Sequence, residues 1–420
     1  MHVSGRAVLH TVPLNLGDIP QAQLDIAVKT RSNPLPWRGQ FSPQFVQVLL
    51  DAYTSKGVVA YDPFAGSGTV LFEAGRRGLA AIGVEINPAA CILARTYEFV
   101  NYDHQTRLGL LEEVGRLLED GIPRRMPLLD HSDDSAAGYD LVKALCSLHS
   151  AVSNDTCRSV IEALMVKLDI YRSPISEYRI FKEWQALRAM ITALPASDQV
   201  VRVLNCDARE VPLSSGIVDL VITSPPYINV HNYHQQYRGT VEALGWKLLK
   251  VAQSEMGANR KHRGNRFLTV IQYCLDMAQA LSETGRLCKA GARIIVVIGR
   301  ESTVRGIPFD NGEIVARLGT DSVGLPLVTR QERVFTNRFG ERIFEDILHF
   351  RANTSSRPDY LGHARSVACH FLGIAYSQAD DATRRAIDAA VQAAADMQPS
   401  PIFDELASCS QVRHRQEAAR

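Results

Sequence analysis

The 420-residue chain predicts a doubly wound α/β fold built on a mostly parallel sheet. Three observations carry this expectation. Short apolar runs rich in Val and Ile recur along the chain, with helical patterns between most of them. The first run ends in a glycine-rich turn, Phe64-Ala65-Gly66-Ser67-Gly68, that opens a helix. Two late runs of strand character are joined by Asn337-Arg338-Phe339-Gly340, a hairpin signal.

In chain order, buried strands are expected at 57–62, 80–86, 200–207, 218–223 and 292–299, and the hairpin strands at 325–335 and 341–350. Residues 69–77 read as a helix that Gly78 ends, since Gly commonly follows the last helical turn. Asn87-Pro88 opens the next helix, with Asn as cap and Pro at the first helical position. Three segments exceed this minimal plan. Residues 102–199 read as about four helices; the first, 107–120, carries Leu108, Leu111, Val114 and Leu118 on a helical period. This segment holds 11 Lys and Arg against 15 Asp and Glu, a net charge of −4. Residues 228–266 hold 7 basic side chains against 2 acidic ones, a net charge of +5. Beyond 352, helices at 363–376 and 380–397 precede a polar end read as disordered. The chain thus divides into a first half-domain at 1–101, a helical insertion at 102–199, a second half-domain at 200–351 and a helical tail at 352–420.

Composition bounds the function classes. Hydrophobic residues make up 46% and charged ones 22%, as in ordinary globular proteins. The net charge is only +1, so any surface for a nucleic acid must be a local basic patch. The eight Cys form no Cys-x-x-Cys pair, which argues against a zinc site or a redox couple. Buried free thiols in a reducing compartment are expected instead. No signal-peptide pattern and no apolar run of membrane-spanning length occurs, so a cytoplasmic protein is expected.

Two motifs carry chemistry. Asp62-Pro63-Phe64-Ala65-Gly66-Ser67-Gly68-Thr69 joins a strand to a helix through a turn whose glycines let the backbone approach a ligand. A dinucleotide fingerprint would place a third Gly where Leu71 stands, which weakens that alternative. Glu85 ends the next strand at the spacing expected of an acid that takes ribose hydroxyls. Thr223-Ser224-Pro225-Pro226-Tyr227 follows the strand 218–223, at the carboxyl end where doubly wound sheets bind ligands. An isolated Ser-Pro-Pro would read as a turn or a polyproline ligand. Its place behind a buried strand, downstream of the glycine turn, sets this one apart.

Together the two motifs resemble those of the S-adenosylmethionine (SAM)-dependent DNA amino-methyltransferases, and the Ser of Ser224-Pro225-Pro226-Tyr227 resembles the branch that methylates N4 of cytosine. The resemblance spans roughly 33–95 and 200–351. It implies a Rossmann-like SAM-dependent methyltransferase sheet that ends in an antiparallel hairpin, and 340–348 looks like the family's final strand. It implies SAM as cofactor. Asp62 would support the glycine loop or the methionine amino group, Phe64 would lie by the adenine, and Asp207 would meet the adenine amine. Gly66, Gly68 and Thr69 belong to the same loop. The segment 33–43 is similar to the one that covers the methionine end of SAM, and Phe41 and Pro43 are carried over from it.

Ser224 Oγ and the Pro225 carbonyl would accept hydrogen bonds from the target amine and favour its nucleophilic, pyramidal form. Pro226 would stiffen the turn, and Tyr227 would stack on the extruded base. No Pro-Cys dipeptide exists in the chain, which excludes the cytosine C5 branch with its cysteine nucleophile. The resemblance further implies DNA as partner and allows a cognate restriction endonuclease.

The donor motif precedes the chemistry motif, so the permuted branch is excluded. The large insertion ahead of the third strand departs from the family's known arrangements and leaves open which segment reads DNA. Arg260, Lys261, Arg263 and Arg266 make 228–266 the expected phosphate track, with Asn232, Tyr233, His234 and Gln235 beside it. N6-adenine methylation stays open as an alternative. So do RNA or protein-amide methylation and a non-catalytic nucleic-acid-binding subunit.

Overall fold

The structure, a computed structural model, describes residues 7–123, 134–228, 233–257, 262–337, 340–353 and 357–408. Among the described residues seven strands form one sheet: β1 (Val59–Asp62), β2 (Ala80–Val84), β3 (Val201–Leu204), β4 (Val218–Thr223), β5 (Cys288–Gly299), β8 (Leu327–Thr336) and β9 (Arg342–Arg351). Between β5 and β8, β6 (Glu301–Val304) and β7 (Ile307–Asp310) make a separate hairpin. The order in the large sheet is β3-β2-β1-β4-β5-β9-β8. Strands β1 to β5 run parallel, and β9 inserts antiparallel between β5 and β8. This is the doubly wound, Rossmann-like α/β sheet with a terminal antiparallel hairpin that the sequence predicts.

The central strands read as apolar runs because both faces are covered. Ala60, Leu220, Ile222, Ile295 and Val297 pack into one core, with the helices Pro43–Tyr53 and Thr69–Arg76. Tyr61, Val221, Ile294, Val296 and Ile298 point the other way, into a core shared with Leu268–Leu287 and Tyr360–Ser377. The alternation is the period-2 geometry of a strand, and it makes three layers. The chain reverses its direction of winding between β1 and β4, which are neighbours in the sheet. Both chemistry-bearing motifs therefore leave the carboxyl ends of adjacent strands at the crevice where such sheets bind ligands.

Local signals set the helix starts. The Asn87 side chain accepts hydrogen bonds from the Ala89 and Ala90 amides, with Pro88 in the first turn. Among its described residues the insertion forms four helices, His104–Gly121, Asp134–Ala151, Asp155–Leu168 and Glu177–Thr192. Arg107, only 1% exposed, closes it. Its guanidinium donates to the carbonyls of Ile191, Thr192 and Leu194 at the far end, and to Tyr102 and Pro195. One buried cation thus answers the orphan carbonyls of the last helix and pins both ends of the insertion together.

The hairpin β6–β7 was not anticipated from sequence. Its strands are four residues each, and its turn residues Arg305 and Gly306 have φ of 52° and 81°. Positive φ at both central positions matches the sheet twist, but Arg-Gly is a weaker cue than Asn-Gly. Residues 398–403 run back across the sheet edge. Ser400 donates through N and Oγ to Asp276 (2.6 Å each), Arg209 donates to the Ser400 and Pro401 carbonyls, and the Phe403 amide donates to Asp207. The polar end expected beyond them falls at 409–420, outside the described residues.

Candidate active site

Asp62 ends β1 and is 2% exposed. Its Oδ1 accepts from Thr223 Oγ1 at the end of β4 (2.6 Å) and from the Phe64 amide (3.1 Å). This carboxyl ties the glycine turn to the strand that carries Ser224. Gly66 has a φ of 53°, and a side chain there would meet the Trp37 indole at 3.2 Å, so backbone and ring lie in direct contact. Glu85, just past β2, receives the Gly66 amide on Oε2 (2.9 Å) and the Asn87 amide on Oε1 (2.7 Å). Burial pushes both carboxyls up to about 7, against the backbone hydrogen bonds they accept and, at Asp62, the Thr223 hydroxyl as well.

These groups line a donor-side cleft of roughly 890 Å³ of space that opens to solvent. Phe64, Gly66 and Thr69 lie on its wall, with Phe41, Asp207 and Ser224. Asn87 Nδ2 and Glu255 Oε1, both buried on the same wall, have no hydrogen-bond partner among the described residues. Besides Asp207, Asp62, Glu85 and Glu255 bring three more carboxyls to one enclosure among the described residues. Asp62 and Glu85 have no ion-pair partner among the described residues, and Glu255 has only His234 Nδ1 at 2.7 Å from its Oε2, an arrangement that favours a ligand bringing positive charge.

A second, larger groove of roughly 2050 Å³ lies on the other side of Ser224. It is lined by Pro43, Pro225, Tyr227, Arg333 and Glu345, among others. Phe41, Tyr233 and Ser224 belong to both cavities. The Tyr227 ring packs on Gly299, where a methyl would come within 2.8 Å of it. Its hydroxyl lies between Ser224 and Glu345, whose carboxyl burial pushes up. Arg333 Nη1 stands 3.4 Å from Glu345, and the guanidinium is held between the rings of Phe45 and Phe335.

The segment 33–43 closes over the glycine turn. Thr69 Oγ1 donates to Asn33, Ser67 Oγ donates to Gln40, and Asn33 Nδ2 donates to the Phe41 carbonyl. Trp37 stacks on Tyr233 and on Tyr237 at interplanar angles of 13° and 21°, joining this segment to the one that follows Tyr227.

The structure therefore gathers Phe41, Asp62, Phe64, Gly66, Thr69, Glu85, Asp207, Ser224 and Pro226 at one cleft, and Pro43, Pro225 and Tyr227 at the adjoining groove. Gly68, with a φ of 88°, caps the helix behind the turn and packs against Tyr97. Asp207 is differently engaged from the expectation. Arg209 takes both its oxygens (2.8 and 2.6 Å), and the Phe403 amide takes Oδ2 as well (2.9 Å). Its charge is neutralised within the fold.

Of the expected phosphate contacts, Arg260 and Lys261 lie outside the described residues. Arg263 is exposed and Arg266 half-buried in a segment tied to the tail by Asn265 Nδ2 and the Ala386 carbonyl, and neither lines the cavities around Ser224. Asn232 also lies outside the described residues, and His234 is turned inward with Nδ1 2.7 Å from Glu255. Sequence reasoning missed Glu255, Glu345 and Arg333, since nothing local marks a lone acid or base that tertiary packing brings to a cleft. Trp37 stood within the quoted segment, and its aromatic partners 196 and 200 residues later gave no local cue.

Among the described residues the buried Cys91, Cys157 and Cys288, and the half-buried Cys206, have thiols that burial pushes up to about 12, and none of them lines either cavity. No helix among the described residues is long and apolar enough to cross a membrane.

Comparison with known proteins bears on this geometry. Residues 22–96 match the DNA methylase family of N6 and N4 methyltransferases. The Type II methyltransferase M.MjaII of Methanocaldococcus jannaschii is 37% identical over 70 residues, a stretch that covers 17% of this chain and 13% of that relative. Among solved structures, a SAM-dependent methyltransferase from Methanosarcina mazei aligns with 11% identity and a TM-score of 0.33, over 73% of this chain and 98% of that one. The rRNA methyltransferase aviRa of Streptomyces viridochromogenes aligns with 15% identity and a TM-score of 0.31, over 81% and 94%. The family match falls on the glycine-turn half of the site, and over those residues the chain is similar to the N6 and N4 DNA methylases.

Proposed function

We propose that this protein transfers a methyl group from SAM to the exocyclic N4 amine of cytosine in DNA. One observation carries the reading: Ser224 stands on the wall shared by two cavities, an acidic one behind it and an open one in front.

The acidic cleft fits SAM. Three buried carboxyls suit a ligand that bears a sulfonium and an ammonium. The unpartnered Glu255 Oε1 is an acceptor, and the unpartnered Asn87 Nδ2 is a donor. Glu85 and Asn87 would hold the nucleoside end, Phe64 would flank the adenine, and Asp62 would set the glycine turn. When bound, SAM supplies an electrophilic methyl group on sulfur.

The residues of this chain do the rest. Ser224 Oγ and the Pro225 carbonyl accept hydrogen bonds from the target amine, drawing its lone pair out of conjugation with the ring. Pro225 and Pro226 have no amide hydrogens to compete, and they fix the turn. Tyr227, Phe41 and Tyr233 supply aromatic surface to an extruded base. The buried thiols described above fit direct attack by the amine, with no cysteine adduct.

Ser at the head of the motif favours cytosine N4, since the adenine enzymes more often carry Asp or Asn there. The name of the archaeal relative supports a restriction–modification setting, with a cognate endonuclease as companion.

The test is to express the protein in a host that lacks DNA methylation and to analyse digested DNA by mass spectrometry. N4-methylcytosine is expected. N6-methyladenine alone would reject the base assignment, and no modified base at all would reject the reaction. Ser224→Ala should lower turnover about a hundredfold while leaving SAM affinity within about twofold, because its partner is the target amine.

A further inference from the structure

A third cavity, of roughly 1060 Å³, opens beside the two already described. Its walls come from two segments far apart in sequence. One is the turn after the insertion helix Asp155–Leu168, with Asp169, Tyr171 and Arg172. The other is the stretch from Tyr233 to Gly239, and Arg38 completes the rim.

The two segments are built to meet. A Cβ on Gly239 would lie 2.7 Å from the Tyr171 Cβ, so only glycine allows this approach. Thr240 Oγ1 reaches Asp169 at 3.5 Å. Asp169 and Tyr237 both hold left-handed backbone, with φ of 46° and 57°. They are two of four such non-glycine residues among those described, and such conformations persist where the surroundings impose them.

The chemistry of the walls is specific. Arg38 and Arg172 are exposed, and Arg238 is 38% exposed beside Glu242. Against these three guanidinium groups stand Asp169 on the wall and Glu242, which pairs with Arg238 at 2.9 Å. Tyr171 is 57% exposed, a large ring left in water. Gln235 Nε2 is buried in the wall without a partner among the described residues. Exposed arginine interleaved with tyrosine and amide groups is a surface for phosphates and unstacked bases. Tyr233 lines this cavity, the donor cleft and the acceptor groove alike, so the surface runs without a break to Ser224.

We propose that this cavity receives the strand of DNA that flanks the target base. Arg38, Arg172 and Arg238 meet its phosphates, and Tyr171 stacks on a neighbouring base. The inference rests on the reading of DNA as substrate and assigns the insertion a part in holding it. The insertion is acidic as a whole, yet its one turn at the cavity presents Arg172 and Tyr171 beside the partly buried Asp169.

The test uses the full chain and labelled duplex DNA of arbitrary sequence, with binding followed by fluorescence anisotropy across a salt series. The Arg172→Gln/Arg238→Gln variant should bind more weakly at every sequence. Its slope of log affinity against log salt should be shallower by about two units, one for each phosphate left without its arginine. Tyr171→Ala should bind about five- to a hundredfold more weakly. Neither variant touches the donor cleft, so calorimetric SAM affinity should match the wild type and certify the fold. Wild-type affinity and salt slope in the double variant would overturn the proposal, as would tighter binding of duplex RNA than of duplex DNA. If the variants lose DNA but the wild type makes no methylated base, the surface stands and the assigned reaction falls. If N4-methylcytosine forms but the variants bind normally, the reaction stands and the surface falls.

Discussion

At Ser224 one hydroxyl separates an acidic enclosure from an open groove, and the chemistry of each side follows from a few buried charges. Asp62 and Glu85 hold protons up to about pH 7 because burial penalises their ionised forms; unfolded, they would titrate near pH 4. The sign follows directly. Their raised values stabilise the free protein fully below about pH 4, and this contribution is lost as pH rises to about 7. A cationic ligand favours the ionised carboxyls, so its binding strengthens over that window. Thermal scans should show the free protein's Tm falling from about pH 5 to 8, while the rise in Tm given by SAM grows. S-adenosylhomocysteine, which lacks the sulfonium charge, should show a smaller growth. A SAM-induced rise that stays flat across this range would mean the carboxyls do not face the ligand. Glu85 was legible in the sequence because it closes an apolar run at a fixed spacing from the glycine turn. Glu255 was not, because only tertiary packing brings the segment 233–257 to the cleft that Glu85 and the glycine turn line. Asp207 was legible as a cleft residue and illegible as Arg209's partner, because the Phe403 amide that it accepts and the Ser400 and Pro401 carbonyls that hold Arg209 come from the tail.

Among the elements, the strands were readable because both faces of a central sheet demand Val and Ile, and the hairpin β8–β9 because its connection carries turn residues. The hairpin β6–β7 was not, since four-residue strands leave too little pattern. The insertion was readable as helices but not as a closed unit, because closure depends on Arg107 reaching carbonyls more than eighty residues away. Arg107→Met keeps the volume and removes every donor. It should destabilise the protein by about 3 kcal/mol, since several buried carbonyls lose a charged partner at once. Denaturant melts would show it, and hydrogen exchange should rise first at 188–199. A change below about 0.5 kcal/mol would mean the ends of the insertion are held by apolar packing alone. The stack of Trp37 with Tyr233 and Tyr237 is likewise an element-scale fact, visible only once two distant segments share a cleft.

Across the whole molecule, the donor wall and the end of the chain share one ionic network. Arg209 bridges Asp207 and Asp276 at 2.6 and 3.0 Å, and the carbonyls of Ser400 and Pro401 complete its shell. Arg209→Met would leave two buried carboxylates facing each other without a cation. A loss of about 3–5 kcal/mol is expected, together with early protease cleavage near 398–403 in limited digestion. Wild-type resistance at that segment would show that the tail is held by other contacts. The same network also sets a schedule. Arg209 and Ser400 are 191 residues apart, and at ribosomal speeds of about 5–20 residues per second the second follows the first by roughly 10–40 s. Until residues 398–403 have been made, Arg209 lacks the Ser400 and Pro401 carbonyls and Asp207 lacks the Phe403 amide, so the wall behind the cleft is fastened late.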